Sequence, residues 1–121
     1  KELISKRIKK SLVMIDNTPA PENKVKEVYE KISATNYLEC GGLGLKSCYV
    51  AEGIADLFLK YSITYDWDIA PAWLIINELG FYMKRLDGSD YEFKGCEKKD
   101  GGIIVARDEK LLNKTLSIIN I

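Results

Sequence analysis

Short, largely apolar runs are the feature of this sequence that most constrains its fold. Three of them stand at residues 11–15, 55–59 and 102–106, and the last reads Gly102-Ile103-Ile104-Val105-Ala106. Runs of this length and composition predict strands that are buried on both faces. A sheet built from such strands needs a covering layer on each side, which is usually a layer of helices.

Segments with helical spacing separate these runs. They are predicted after Pro21, at about residues 43–51, from residue 69 to Gly80, and after a cap at Asp108. A short strand is expected at residues 35–40, and residues 81–83 and 91–93 are expected to pair as a hairpin. The order β-α-β-α-β-α-β-β-β-α predicts one α/β domain, residues 1–121. Its sheet is expected to be mainly parallel (mixed), with about five to six strands flanked by helices on both faces.

The third predicted helix lacks a polar face. Ile69, Ala72, Trp73 and Ile76 share one side of it, whereas Leu74 and Ile75 point elsewhere. A helix that is apolar all round is normally buried on more than one side. We therefore expect this helix to be covered on two sides.

Glycines stand between the second predicted strand and its helix, in Gly41-Gly42-Leu43-Gly44. Backbone N–H groups and the dipole at the start of a helix favour a bound anion, and Lys46 in the first turn could reach a phosphate. Gly42-x-Gly44-x-x-Ser47 partly matches a dinucleotide fingerprint, but the P-loop pattern fails because leucine precedes Lys46. A tight turn that lets the helix pack closely on the sheet is the alternative explanation.

Two carboxylates flank a tryptophan in Tyr65-Asp66-Trp67-Asp68, where a strand-like run meets the apolar helix. Asp68 is placed to cap that helix. Pro71 would then occupy the third helical position, where it has no N–H to donate. The Asp68 carboxylate would keep spare acceptor capacity, which suits a hard cation. Asp66 is interpreted as an outer acceptor or an exposed loop residue, and Trp67 as a core anchor.

Composition argues against several classes of function. Eighteen Lys and Arg balance eighteen Asp and Glu, so a broad nucleic-acid-binding face is not expected. The absence of histidine and the scattered Cys40, Cys48 and Cys96 argue against zinc and favour a reduced, cytoplasmic compartment. No signal peptide or membrane-length apolar run is visible. The basic residues 1–10 are interpreted as a solvated helix face.

Several motifs occur together that are typical of one enzyme family. They are Gly41-Gly42-Leu43-Gly44-Leu45-Lys46, the stretch from Cys48 to Leu57, Trp67-Asp68-Ile69-Ala70, Glu78-x-Gly80, Asp87-Gly88 and Ile104-Val105-Ala106. With them the chain resembles the carboxyl-terminal half of the inositol-monophosphatase-like superfamily of Mg²⁺-dependent, lithium-sensitive phosphatases. The resemblance covers about residues 11–120, and its most specific part is Trp-Asp-x-Ala followed by Glu-x-Gly.

The resemblance implies roles for a metal ligand and for the glycine turn. In this family the aspartate of Trp-Asp binds the metal next to the substrate, so Asp68 is the implied catalytic and metal-binding residue, with Mg²⁺ as cofactor. The glycine turn contacts the substrate through its backbone, which falls on Gly42, Leu43 and Gly44.

Two lysines point to a subgroup of the family. Lys46 and Lys60 match basic substrate-binding positions of the 3′(2′),5′-bisphosphate nucleotidases. Inositol phosphatases tend to carry an acidic residue where Lys60 stands. A lysine there favours a substrate with additional negative charge.

The chain departs from the family pattern in three places. Pro71 replaces an alanine, no histidine stands near residues 16–21, and the motif Asp-Pro-Ile/Leu-Asp-Gly-Thr with its metal ligands is missing. The resemblance therefore implies the carboxyl-terminal phosphatase domain without the amino-terminal metal-binding domain. Such a domain is expected to be inactive alone, to bind Mg²⁺ weakly and to form homo-oligomers through exposed apolar surface.

Three functions remain open from the sequence. The first is a phosphomonoesterase part that acts on 3′-phosphoadenosine 5′-phosphate, ahead of inositol phosphate or fructose 1,6-bisphosphate. The second is a non-catalytic binding or assembly domain, which the missing motif and Pro71 motivate. The third is a dinucleotide-binding domain, which would require an acidic residue where Lys60 stands. Neither a nucleic acid polymer nor a membrane is an expected partner.

Overall fold

The computed structural model describes residues 11–62, 64–93, 98–99 and 102–120, and the predicted helix face at residues 1–10 lies outside that part. The helices are α1 Asn23–Lys31, α2 Leu43–Ala51, α3 Asp66–Glu78 and α4 Glu109–Ile119. The strands are β1 Val13–Asp16, β2 Asn36–Glu39, β3 Leu57–Lys60, β4 Thr64–Tyr65, β5 Tyr82–Arg85, β6 Lys98–Lys99 and β7 Ile103–Ala106. None of the helices in this part of the chain has the length and apolar character needed to cross a membrane.

The main sheet has five strands in the order β2-β1-β3-β7-β5. β1 pairs in parallel with β2 and β3, whereas β7 is antiparallel to both β3 and β5. Four strands therefore run in one direction and β7 runs against them, which confirms the predicted mixed sheet. A separate two-stranded ribbon joins β4 to β6, and no sequence pattern predicted it.

Alternate residues along each central strand enter two different cores. In β3, Leu57 and Leu59 pack with the helices α1 and α4, whereas Phe58 packs with α2 and α3. Because all four residues of β7 are buried, its apolar run fits a strand covered on both faces. The predicted layers of helices on both faces are confirmed.

The predicted hairpin is wrong in its second strand. The turn forms, and the Gly88 N–H donates to a backbone carbonyl three residues earlier at 2.9 Å. Residues 91–93, however, are not a strand. Tyr91 is buried in the core beside α3, and the ring of Phe93 meets the ring of Trp73 edge-on at 5.4 Å. This segment packs on α3, while β5 pairs with β7 instead.

A buried ion pair joins the start of β3 to the end of β7. The Arg107 guanidinium Nη1 lies 3.0 Å from Asp56 Oδ1, and the other carboxylate oxygen of Asp56 accepts from the Val13 N–H at 2.8 Å. Asp108 then caps α4 by accepting from the Leu111 N–H at 2.8 Å, as predicted. These contacts fix the end of the sheet opposite the carboxyl ends of β1 and β3.

Candidate functional site

A cleft of about 690 Å³ opens at the carboxyl ends of β1 and β3, beside the start of α2. β1 leads to β2 through α1 on one face of the sheet, and β2 leads across β1 to β3 through α2 on the other face. Connections that leave in opposite directions create a crevice at which α/β proteins usually bind their ligands. The cleft walls comprise residues 16–18, 22–25 and 58–62, with three residues from the start of α2.

The structure brings together four of the six residues that the sequence singled out. Gly42, Leu43, Lys46 and Lys60 all line this cleft. Gly44 and Asp68 are not among its lining residues. The four lining residues therefore form one candidate anion site, while roles for the other two depend on the family resemblance.

The glycine turn is explained by backbone conformation at one position. Gly42 precedes α2 and has a φ of 82°, which a residue with a side chain rarely adopts. A Cβ at Gly41 or Gly44 would meet no neighbouring atom within 4 Å. Close packing of the helix on the sheet therefore does not require glycine at these two positions. The structure supports a tight turn at Gly42 as one reason for the glycines.

Lys46 carries its charge into a buried position at the cleft. The residue is 5% exposed, and its Nζ lies 4.9 Å from the centroid of the Phe58 ring. The Nζ also donates to the Cys40 carbonyl oxygen at 3.3 Å. An ammonium has three donors, so further N–H groups of Lys46 are available for an acceptor in the cleft.

The electrostatic balance of the cleft favours an anion. Burial lowers the pKa of Lys46; the carboxylate of Asp16 opposes this shift, and the ammonium of Lys60 adds to it. Lys60 Nζ donates to the Ser62 hydroxyl oxygen at 2.8 Å. Among the described residues, neither lysine is in an ion pair with a carboxylate. A bound phosphate would relieve both the desolvation of Lys46 and the repulsion between the two ammonium groups.

α3 begins three residues earlier than the cap hypothesis requires. Its first residue is Asp66, and the preceding Tyr65 has an extended backbone and no capping bond from its side chain. Asp68 is therefore the third helical residue, so the hypothesis that it caps the helix is wrong. Pro71 stands at the sixth helical position, not the third. The Asp68 carboxylate is available to a ligand because it is exposed.

The interpretation of Trp67 and one of the two interpretations of Asp66 are also corrected. Asp66 is 2% exposed and accepts a hydrogen bond from the Tyr91 hydroxyl at 3.2 Å, so it is a buried structural group and not a loop carboxylate. Trp67 is 54% exposed and stacks on Tyr65 with ring centroids 4.5 Å apart. It is therefore not a core anchor in this structure.

The part of the chain that the structure describes does not complete a metal site. It contains no group of three or more His, Cys, Asp or Glu side chains that could hold a metal ion. A Mg²⁺ ion takes several oxygen ligands, and one exposed carboxylate such as Asp68 supplies only one or two of them.

Comparison with known proteins identifies relatives over nearly the whole chain. The inositol monophosphatase family matches residues 2–120. The 3′(2′),5′-bisphosphate nucleotidase CysQ of Aggregatibacter actinomycetemcomitans is 34% identical over 61 residues, which cover 50% of this chain and 23% of that protein. Inositol monophosphatase 3 of Xenopus laevis is 28% identical over 91 residues, which cover 69% of this chain and 26% of that protein.

Solved structures confirm the fold. A hypothetical protein of Pyrococcus horikoshii, described as similar to inositol-1 monophosphatase, superposes with a TM-score of 0.70 at 26% identity. The match covers 87% of this chain and 41% of that protein. The inositol monophosphatase of Thermotoga maritima gives a TM-score of 0.69 at 17% identity, over 91% of this chain and 41% of that protein. The chain thus spans about two fifths of these structures and about a quarter of the curated relatives.

Proposed function

This chain belongs to the inositol monophosphatase family, and on that premise we propose that it forms the substrate-binding part of a Mg²⁺-dependent phosphomonoesterase. Its substrate is a small phosphorylated metabolite, with 3′-phosphoadenosine 5′-phosphate favoured over inositol phosphate. The observation that carries the proposal is that Lys46 and Lys60 line the same cleft as the glycine turn at the start of α2.

The residues of the cleft divide the work of holding phosphate. Gly42 and Leu43 stand at the start of α2, where N–H groups without helical partners and the helix dipole bind and orient one phosphate. Lys46 adds a fixed positive charge in a partly desolvated position, where an electrostatic contact is stronger than in water. Stabilisation of this kind lowers the barrier to phosphate transfer when the charges are in place before the reaction.

Lys60 is the residue that favours a second phosphate. It ends β3 and lines the cleft, and its charge acts on Lys46. A mononucleotide or an inositol monophosphate offers one phosphate to two cations, whereas a bisphosphate offers one to each. The identity to the bisphosphate nucleotidase CysQ over half of the chain supports the same preference.

Asp68, which is exposed in the first turn of α3, would hold Mg²⁺. When bound in such a site, the metal polarises the phosphate and lowers the pKa of water. Asp68 would supply one ligand, and the other ligands would come from residues that the structure does not describe or from a separate part of the family fold. Asp68 then positions the metal side of the site, and the two lysines position the substrate.

An inositol phosphate is the second candidate substrate, because inositol monophosphatase 3 of Xenopus laevis matches more of this chain than CysQ does. A test measures Mg²⁺-dependent release of phosphate from 3′-phosphoadenosine 5′-phosphate and from inositol 1-phosphate, with the longest natural form of the protein. We expect the bisphosphate to be preferred and Lys60→Glu to reduce that preference at least tenfold. An unchanged preference in the variant would remove the argument from the two lysines.

The same measurement separates an enzyme from a non-catalytic binding domain. If the longest natural form binds the bisphosphate but releases no phosphate with Mg²⁺, the chain is part of a binding or assembly protein. Its gene would then be expected to lack the motif Asp-Pro-Ile/Leu-Asp-Gly-Thr, which carries the missing metal ligands in the resemblance described above.

A further inference from the structure

A carboxylate stands in the cleft beside the two lysines. Asp16 is the last residue of β1 and lines the cleft together with Lys46 and Lys60. Its charge raises the pKa of Lys46, against the lowering effect of burial. Among the described residues, however, no ion pair joins Asp16 to a lysine or an arginine. Because a negative charge weakens the binding of phosphate nearby, a cleft for phosphate alone would not favour a carboxylate at this position.

The structure holds the carboxylate of Asp16 in a defined position. Its Oδ1 accepts from the Asn17 N–H at 2.8 Å, and its backbone carbonyl oxygen accepts from the Cys40 N–H at 2.8 Å. In the loop that follows, Thr18 Oγ1 lies 2.7 Å from the hydroxyl oxygen of Tyr37 on β2. These bonds anchor the loop and occupy one carboxylate oxygen. The other oxygen accepts no hydrogen bond from a described residue, so it is available to a ligand in the cleft.

The chemistry of a carboxylate restricts what that ligand can be. An ionised carboxylate only accepts hydrogen bonds, and a phosphate monoester at neutral pH is mainly dianionic and offers almost no donor. The hydroxyl groups of a sugar or polyol do offer donors, and an O–H group bonds more strongly to a carboxylate than to a neutral acceptor. Asp16 therefore suits a ligand that carries a hydroxyl group next to its phosphate.

We propose that Asp16 is a specificity-determining residue, whose carboxylate accepts a hydrogen bond from a substrate hydroxyl next to the bound phosphate. The inference rests on the proposed function, because it needs a phosphate at the glycine turn and the lysines. In 3′-phosphoadenosine 5′-phosphate this hydroxyl is the ribose 2′-OH, which neighbours the 3′-phosphate. Phosphates without such a hydroxyl are disfavoured, because they leave the carboxylate unpaired beside an anion.

A second carboxylate of the cleft lacks these constraints. Glu22 lines the cleft just before α1, but it is exposed and its side chain makes no capping bond to that helix. Its charge is therefore largely screened by solvent, and no bond fixes its oxygens toward a ligand. Asp16, in contrast, is half-buried at the end of a strand. Glu22 thus offers a matched control, with the same charge in the same cleft but no fixed acceptor.

Removal of one hydroxyl from the ligand tests the proposal. The 121-residue chain is titrated calorimetrically with 3′-phosphoadenosine 5′-phosphate and with its 2′-deoxy analogue. EDTA is present in both titrations, so that a divalent cation cannot contribute to the difference. The two ligands share both phosphates and the base, so a site that binds only phosphate would not distinguish them. We expect the ribonucleotide to bind about tenfold more tightly, because it adds one charge-assisted hydrogen bond.

Variants show whether the carboxylate causes this difference. Asp16→Ala removes the acceptor and should bring the two affinities within about twofold of each other. Asp16→Asn keeps the shape and removes the charge, so it should bind the 2′-deoxy nucleotide about threefold more tightly than the wild type does. A side chain that only supports the fold would not tighten the binding of any ligand. Glu22→Gln should leave the tenfold difference unchanged, and circular dichroism verifies that each variant is folded.

Three outcomes would overturn the proposal. The first is equal affinity of the wild type for the two nucleotides. The second is a difference that persists in Asp16→Ala, which a change in ribose conformation would produce. The third is weaker binding of both nucleotides to Asp16→Asn, because the residue would then act only through Lys46 or the loop. All three leave the proposed function intact, since the wild type still binds the bisphosphate. Failure of the wild type to bind either nucleotide would overturn the proposed function and, with it, this inference.

Discussion

The ammonium of Lys46 lies 4.9 Å from the centre of the Phe58 ring, and both residues line the cleft. The two residues meet because β3 turns Phe58 toward α2, while Leu57 and Leu59 point to the other face of the sheet. An aromatic face offers a buried cation some compensation for lost hydration, without neutralising it. The contact keeps a positive charge at the site where the substrate phosphate is expected.

Replacement of Lys46 by methionine tests the function of this charge. Lys46→Met keeps the apolar stem and removes the ammonium. We expect the affinity for 3′-phosphoadenosine 5′-phosphate to fall roughly 10- to 100-fold, because one charge-assisted hydrogen bond is lost. The free energy of unfolding should not decrease, because a desolvated charge is also removed. Calorimetric titration and urea denaturation measure the two effects. Lys26→Met, on the exposed side of α1, is the matched control and should change neither.

The lowered pKa of Lys46 predicts a pH dependence of stability. Below its pKa in the folded protein, Lys46 is charged in both states and its desolvation destabilises the fold. As pH rises from that folded pKa toward the ordinary value of 10.5, the unfolded chain binds more protons than the folded chain. The contribution of Lys46 to the free energy of unfolding therefore rises with pH between its folded pKa and 10.5.

The measurement compares the free energies of unfolding of the wild type and Lys46→Met at several pH values up to about 10.5, the ordinary lysine pKa. We expect the wild type to gain stability relative to the variant as pH increases. The comparison cancels the contributions of Tyr37 and Tyr61, whose pKa values burial raises. If the difference in free energy of unfolding between the wild type and Lys46→Met does not change with pH, Lys46 is not desolvated in the folded protein.

Gly102 holds the end of β3 in place and should tolerate no side chain. Its φ is 66°, and a Cβ there would stand 1.9 Å from the carbonyl oxygen of Lys60. We expect Gly102→Ala to lower the free energy of unfolding by roughly 2–5 kcal/mol, from backbone strain and overpacking together. Gly44→Ala is the control, because a Cβ there meets no atom within 4 Å. It should be neutral or stabilising by about 0.5–1 kcal/mol in urea denaturation.

The buried pair of Asp56 and Arg107 should contribute more to stability than an exposed pair. Arg107→Met leaves the Asp56 carboxylate, which is 5% exposed, without its cation and should cost about 3 kcal/mol or more. Lys84→Met removes the ion pair with the largely exposed Asp90 and should cost at most about 1 kcal/mol. Thermal and urea unfolding compare the two variants. Equal losses would contradict the structural role given to Arg107.

The sequence predicted the layers of the fold well because they depend on local patterns. The apolar run of β7 identified a strand buried on both faces, and Asp108 identified the start of α4. The same patterns placed Gly42 and Lys46 next to each other at the start of α2. Lys60 lines the same cleft because β1 and β3 are parallel, so that the carboxyl ends of these neighbouring strands meet at one edge of the sheet.

The predictions failed where a contact between distant residues decides the local structure. One of the two interpretations of Asp66 was an exposed loop residue, but the hydroxyl of Tyr91, 25 residues away, donates a hydrogen bond to its buried carboxylate. The same contact draws Tyr91 away from the expected hairpin. Trp67 was interpreted as a core anchor, yet it is 54% exposed and stacks on Tyr65 in the part of the chain described.

A titration followed by NMR tests the central claim most directly. The ¹⁵N-labelled 121-residue chain is titrated with 3′-phosphoadenosine 5′-phosphate and with adenosine 5′-monophosphate. The Lys60→Glu variant is titrated in the same way. We predict that amides of Gly42, Leu43, Lys46 and Lys60 shift together, that the bisphosphate binds at least about tenfold more tightly, and that the variant loses this difference. Equal affinities for the two nucleotides in the wild type, or shifts that cluster away from the cleft, would contradict the account.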